Sequence, residues 1–75
     1  MKLTDRQTRT YQGLIRLHTQ AIGPHEHFFS ADRVAGAAGI HRRSAHNDLN
    51  VLVGLEKVRI IDADGKRCYA ARGHR

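Results

Sequence analysis

The sequence predicts an α+β domain of three helices followed by a two-stranded β-hairpin. Apolar residues recur at helical spacing through the first two thirds of the chain, and they alternate with polar residues after residue 57. The pair Asp64-Gly65, which suits a tight turn, interrupts this alternating segment. Seventy-five residues with 40% apolar content suffice for one small core, so residues 1–75 are interpreted as a single domain.

The first helix is expected within residues 1–23. Thr4 and Gln7 have the spacing of a capping box, in which each side chain bonds the backbone amide of the other residue. Gly23 and Pro24 are expected to end the helix, because glycine permits a left-handed end and proline cannot continue the hydrogen-bond ladder. The side chains at helical spacing between these ends are Tyr11, Leu14, Ile15, His18 and Ile22.

Residues 30–55 predict two further helices joined by a tight turn. Ser30 is suited to cap the first of them, roughly residues 31–38, and Phe29 and Val34 occupy the two positions of a hydrophobic staple. Gly39 can adopt the positive φ that ends this helix. The last helix has an apolar stripe made of Ala45, Leu49, Leu52 and Val53.

The opposite face of this last helix is polar and basic. Arginine forks and asparagine amides match the base edges of the DNA major groove, and serine suits phosphates. The pattern therefore predicts a helix-turn-helix whose third helix binds DNA, with an ordinary helical hairpin carrying a solvated polar face as the alternative. The residues of this face are Arg42, Arg43, Ser44, His46, Asn47 and Asn50.

A β-hairpin is expected over residues 57–71, with residues 72–75 as a basic tail. Counting outward from the Asp-Gly turn pairs Ile61 with Cys68, Ile60 with Tyr69 and Val58 with Ala71. This register sorts Val58, Ile60, Tyr69 and Ala71 onto one apolar face. Lys66 and Arg67 lie at or just after the tip, where they could contact backbone phosphates or the minor groove.

The charge of the chain points to a polyanionic partner. The net charge is +6 and the isoelectric point is about 10.5, which favours binding to nucleic acid through release of counterions. A membrane surface is also polyanionic. However, the basic residues do not accompany the Trp- or Phe-bearing amphipathic face of an interfacial helix, so double-stranded DNA is the expected partner and no membrane contact is expected.

Catalysis, cofactors and an oxidising compartment are not expected. His25 and His27 could hold a metal only with two further ligands from His41, His46 and Cys68, and the His-x-His spacing is common by chance. Pairs such as Asp48 with His46, or Cys68 with any histidine, lack the clustered, mutually oriented groups that nucleophile and base chemistry needs. Cys68 is the only cysteine, and neither a signal peptide nor an apolar run of membrane-spanning length is evident, so a cytoplasmic location is expected.

Two stretches resemble known DNA-binding families. Residues 3–24, with the start Leu3-Thr4-x-Arg6-Gln7 and an isoleucine followed by a histidine, resemble the amino-terminal domain of LexA-type SOS repressors. Residues 44–71 are similar to the DNA-binding domain of arginine repressors in the Asp-Leu pair of the third helix, the Lys-Val strand and the Asp-Gly hairpin. The resemblance implies a winged helix-turn-helix fold. It does not extend to the self-cleaving peptidase domain of the former family or to the effector-binding domain of the latter.

Residues and resemblance together predict a sequence-specific DNA-binding protein, a small prokaryotic, plasmid or phage transcriptional repressor or regulator. Because one small domain makes few contacts, useful specificity is expected to need a homodimer or a partner protein. The alternative is a winged helix module that binds proteins in a replication, recombination or phage regulatory complex. The predicted DNA-binding residues are Arg42, Arg43, Ser44, His46, Asn47, Asn50, Lys66 and Arg67.

Overall fold

The computed structural model describes residues 2–23 and 27–72. Three helices and three short strands make up this part of the chain, and the strands form one antiparallel sheet in the order β1-β3-β2. The domain is therefore α+β, as the sequence predicts. The elements in chain order are α1 (Asp5–Gln20), β1 (Phe29–Ser30), α2 (Ala31–Ala38), α3 (Arg42–Gly54), β2 (Val58–Ala63) and β3 (Lys66–Ala71).

The sheet has one strand more than the predicted hairpin. Strand β1 lies on the free side of β3, where Phe29 pairs with Tyr69 and Ser30 with Cys68. This strand is the extended entry into α2, since Ser30 is also the residue that caps α2. The two-residue strand satisfies backbone groups on an edge of β3 that a two-stranded hairpin would have left unpaired. It is too short to show any periodicity in the sequence.

The hairpin itself is confirmed. Ile61 pairs with Cys68, Ile60 with Tyr69 and Val58 with Ala71, which is the predicted register. Asp64 and Gly65 have φ values of 52° and 77°, as the two central residues of a type I′ turn require. Beyond β3, the backbone amide of Arg72 donates to the carbonyl of Lys57, whereas residues 73–75 of the predicted tail lie outside the described residues.

Helix α1 begins as predicted and ends earlier. The capping box of Thr4 and Gln7 is present. The helix ends at Gln20, since Ala21 is already extended with φ −72° and ψ 145°. The prediction that Gly23 ends the helix is therefore wrong. Ile22 is 91% exposed and does not belong to the apolar stripe. No α1 position beyond His18 is buried, so another turn would gain little burial, and Pro24 lies outside the described residues.

Local capping defines the two later helices. The hydroxyl of Ser30 accepts from the amide of Arg33 at 3.3 Å, which confirms the predicted cap of α2. Gly39 ends α2 in the left-handed region with φ 70°, and the next amide reaches back to the carbonyl of Ala35, as in a Schellman motif. Nδ1 of His41 caps α3 by accepting from the amide of Arg43 at 3.1 Å.

The core lies between the three helices and the inner face of the sheet. Ala45, Leu49 and Leu52 of the predicted α3 stripe are fully buried, and Val53 packs against the core from a half-buried position. His18 joins α1 to the end of β3, because its Nε2 accepts from the amide of Ala71 at 2.9 Å. The buried apolar cluster consists of Leu14, Leu17, Phe29, Val34, Leu49, Leu52, Val58, Tyr69 and Ala71.

Helices α1 and α2 are in close contact at Gly13. A methyl group placed on this glycine would lie 2.9 Å from both the Cβ and the backbone nitrogen of Ala38. Side chains do not normally approach backbone atoms so closely, and a backbone atom cannot rotate away. The absence of a side chain at Gly13 therefore sets the distance between the two helices.

Gly13→Ala is expected to lower the free energy of unfolding by about 1–3 kcal/mol, because the added methyl group forces the two helices apart. Gly36→Ala is the matched control. This glycine is also helical and has open space around its Cβ position, so alanine there is expected to be neutral or to stabilise by roughly 0.5–1 kcal/mol. Urea unfolding of both variants measures the difference, and equal effects would contradict the close approach.

Candidate nucleic-acid interface

Three of the predicted residues form an exposed stripe along α3. Arg43, Asn47 and Asn50 are all exposed and lie at positions i, i+4 and i+7, so they share one face of the helix. The stripe spans roughly 10 Å along the helix axis. It carries one cation and two amides, which are the groups that bond the edges of guanine and adenine.

The remaining predicted residues lie elsewhere on the surface. Arg42 and His46, at the start of α3, lie beside Lys66 and Arg67 of the hairpin in the wall of a groove of about 360 Å³. We call this groove the charged groove, and its lining residues are Ser30, Ala31, Asp32, Arg42, His46, Lys66, Arg67 and Tyr69. Ser44 is half-buried and is not part of the charged groove.

One carboxylate lies among the cations of the charged groove. Nε of Arg42 is 3.4 Å from Oδ1 of Asp32 at the start of α2. Both side chains are mostly exposed, with 73% and 64% of their surface accessible, so the ion pair is screened by solvent and contributes little to folding. The pair can therefore open without disturbing the fold, and Arg42 can bind another anion.

Helix α3 is fixed from behind by Asp48. This side chain is 2% exposed and its carboxylate accepts from Nε and Nη2 of Arg6, at 3.0 and 2.9 Å. Oγ1 of the buried Thr10 lies 2.9 Å from the same carboxylate. Hydrogen bonding to Asp48 and the charge of its carboxylate raise the pKa of Arg6 above its ordinary value. Arg6 and Thr10 of α1 therefore both hold α3 through the side chain of Asp48.

The sequence pattern does not indicate the role of Asp48 and offers only a pairing with His46. Its carboxylate instead bonds Arg6 and Thr10, more than 35 residues away in the chain. The sequence does contain a signal that Asp48 has a partner of opposite charge. Asp48 lies between Ala45 and Leu49 on the buried stripe of α3, where a carboxylate needs a partner of opposite charge.

Other cations are engaged in contacts within the domain. The guanidinium of Arg33 lies over the ring of Phe29 at 5.5 Å from its centroid, and that of Arg59 lies over the ring of Phe28 at 5.6 Å. Together with Arg6, these residues contribute to the net charge while packing against neighbours. Part of the net charge of +6 therefore comes from cations that lie outside the stripe and the charged groove.

The histidines and the cysteine do not converge on a metal site in the described part of the chain. No group of three His, Cys, Asp or Glu residues there is arranged to hold a metal ion. His41 caps α3 and Cys68 is half-buried in the central strand, while His25 lies outside the described residues. None of the described helices combines the length and the apolarity that crossing a bilayer requires.

Comparison of the chain with protein-family models, with curated proteins and with solved structures found no match in any of the three. Any assignment of function must therefore be argued from the geometry and the charge of the site.

Asp48→Ala is expected to lower the free energy of unfolding by roughly 2–3 kcal/mol, because it removes the carboxylate that bonds both Arg6 and Thr10 and leaves a cavity beneath α3. Asp62→Ala is the control, since Asp62 is an exposed carboxylate of β2. Thermal unfolding compares the two variants. If they lost equal stability, the contact between α1 and α3 would not have the structural role assigned to it.

Proposed function

We propose that this chain is a winged helix domain that binds double-stranded DNA in a sequence-specific manner, as a small transcriptional repressor or regulator, with α3 in the major groove. The observation that carries the proposal is the charge of α3. Its single acidic residue, Asp48, is buried and paired with Arg6, so its exposed face presents only cationic and neutral groups to a polyanion.

The order of the elements supports the same proposal. A helix pair joined by a tight turn is followed directly by a hairpin in which the exposed Lys66 and Arg67 begin β3, just after the turn. A hairpin in this position acts as a wing, because its cations can contact the backbone beside a helix that lies in the groove.

The exposed stripe of α3 supplies the base contacts in this proposal. Arg43 is suited to the two acceptors of guanine, and Asn47 and Asn50 are suited to the acceptor and donor of adenine. Ser44 and His46 assist, and Lys66 and Arg67 hold the backbone. Three reading side chains distinguish only a few base pairs, so we propose that two copies bind a two-fold symmetric site.

The proposal is tested by selecting bound duplexes from a random library and titrating the best one against a scrambled duplex at two salt concentrations. Wild-type protein is expected to prefer the selected duplex strongly. Asn47→Ala is expected to reduce that preference about tenfold or more, because a bidentate contact to a base discriminates by roughly 1–3 kcal/mol.

Gln12→Ala serves as the control for Asn47→Ala, because it removes an exposed amide from α1 and not from α3. It is expected to leave the preference unchanged. Equal, steeply salt-dependent binding to both duplexes would replace sequence-specific regulation by non-specific DNA binding. Failure to bind at low salt would overturn the proposal and favour a module that binds another protein.

A further inference from the structure

We propose that the charged groove binds one phosphate group of the DNA backbone, with the hydroxyl of Tyr69 donating a hydrogen bond to it. This inference rests on the proposed function and refines it. It assigns Arg42 to the phosphate backbone, whereas the sequence pattern places Arg42 among the residues that contact bases.

The groove combines three sources of positive potential from distant parts of the chain. Arg42 comes from the start of α3, and Lys66 and Arg67 come from the hairpin. The groove also includes Ala31 and Asp32 in the first turn of the eight-residue helix α2, where the amides and the helix dipole favour an anion. The carboxylate of Asp32 opposes this potential, and its weak pair with Arg42 must open when a phosphate binds.

Tyr69 provides the independent observation that points to a ligand. Its side chain is fully buried and lines the groove, and its hydroxyl has no hydrogen-bond partner among the described residues. Buried hydroxyl groups without a partner are rare and unfavourable. A tyrosine hydroxyl carries its proton at neutral pH and can donate, and burial raises the pKa of Tyr69 further. A phosphate group can accept a hydrogen bond from the Tyr69 hydroxyl and at the same time pair with the cations of the charged groove.

The charged groove and the exposed stripe of α3 are different parts of the surface. The walls of the groove come from α2, α3 and the hairpin, whereas Arg43, Asn47 and Asn50 are not among its lining residues. A phosphate contact carries no direct sequence information. Loss of a groove residue is therefore expected to weaken binding to every duplex by the same factor, while loss of a stripe residue changes the preference between duplexes.

The test compares Tyr69→Phe with Tyr11→Phe, which removes the hydroxyl of the other tyrosine, a half-buried residue of α1. Tyr69→Phe is expected to unfold at the same temperature as wild type or higher, because its hydroxyl has no partner in the free protein. It is expected to bind both the selected and the scrambled duplex about tenfold more weakly, as for a lost hydrogen bond to a charged group. Its salt dependence should not change, since no charge is removed.

Arg42→Ala tests the same site by removing a cation instead of the neutral hydroxyl of Tyr69. It is expected to weaken binding to both duplexes equally and to reduce the slope of log affinity against log salt by about one. If Tyr69→Phe bound both duplexes as wild type does, or if Arg42→Ala affected only the selected duplex, the phosphate assignment would be overturned while the proposed DNA binding stood.

A second arm separates this inference from the proposed function. Inorganic phosphate is titrated into the full chain, and amide shifts are followed by two-dimensional NMR. Shifts concentrated at Ala31, Asp32 and Arg42, and lost in Tyr69→Phe, support the phosphate site even if wild-type protein binds no DNA, in which case the ligand is a free phosphate group. Scattered shifts that persist in Tyr69→Phe would overturn the site.

Discussion

The buried carboxylate of Asp48 constrains the orientation of α3. Leu49 and Leu52 would tolerate a small rotation of the helix within an apolar core, but a charge cannot be moved away from its partner without a large penalty. The observed rotation places Asp48 against Arg6 and keeps both leucines buried. That rotation also determines which face of α3 is exposed, so the position of the candidate reading stripe follows from a contact on the opposite side of the helix.

The central strand β3 places the hairpin relative to the helices. It pairs with β2 on one side and with β1 on the other, and β1 continues directly into α2. The amide of Ala71 is also bonded to His18 of α1, so the end of the strand is attached to the first helix. These connections bring the start of α2 beside the hairpin. The charged groove is a consequence of the three-stranded sheet, because β1 positions Ser30 next to Cys68.

Features determined by neighbouring residues were predictable, and features determined by distant ones were not. The cap at Ser30, the turn at Asp64-Gly65 and the hairpin register depend on local geometry, and the structure has all three. The end of α1 depends on where the core ends, and the strand β1 depends on an open edge of β3. No local sequence pattern encodes either feature. The grouping of Arg42 with the hairpin cations depends likewise on how three elements meet.

The two parts of the candidate interface imply different contributions to binding. The exposed stripe of α3 holds one cation and two amides, so in the proposed complex it supplies discrimination and little electrostatic affinity. The groove holds Arg42, Lys66 and Arg67, which in the proposed complex supply affinity for any duplex. In such an arrangement the ratio of specific to non-specific binding depends on the stripe alone. A single copy reads too few bases to raise that ratio far, so repetition of the stripe by a second copy is the physical route to a regulator that finds one site among many.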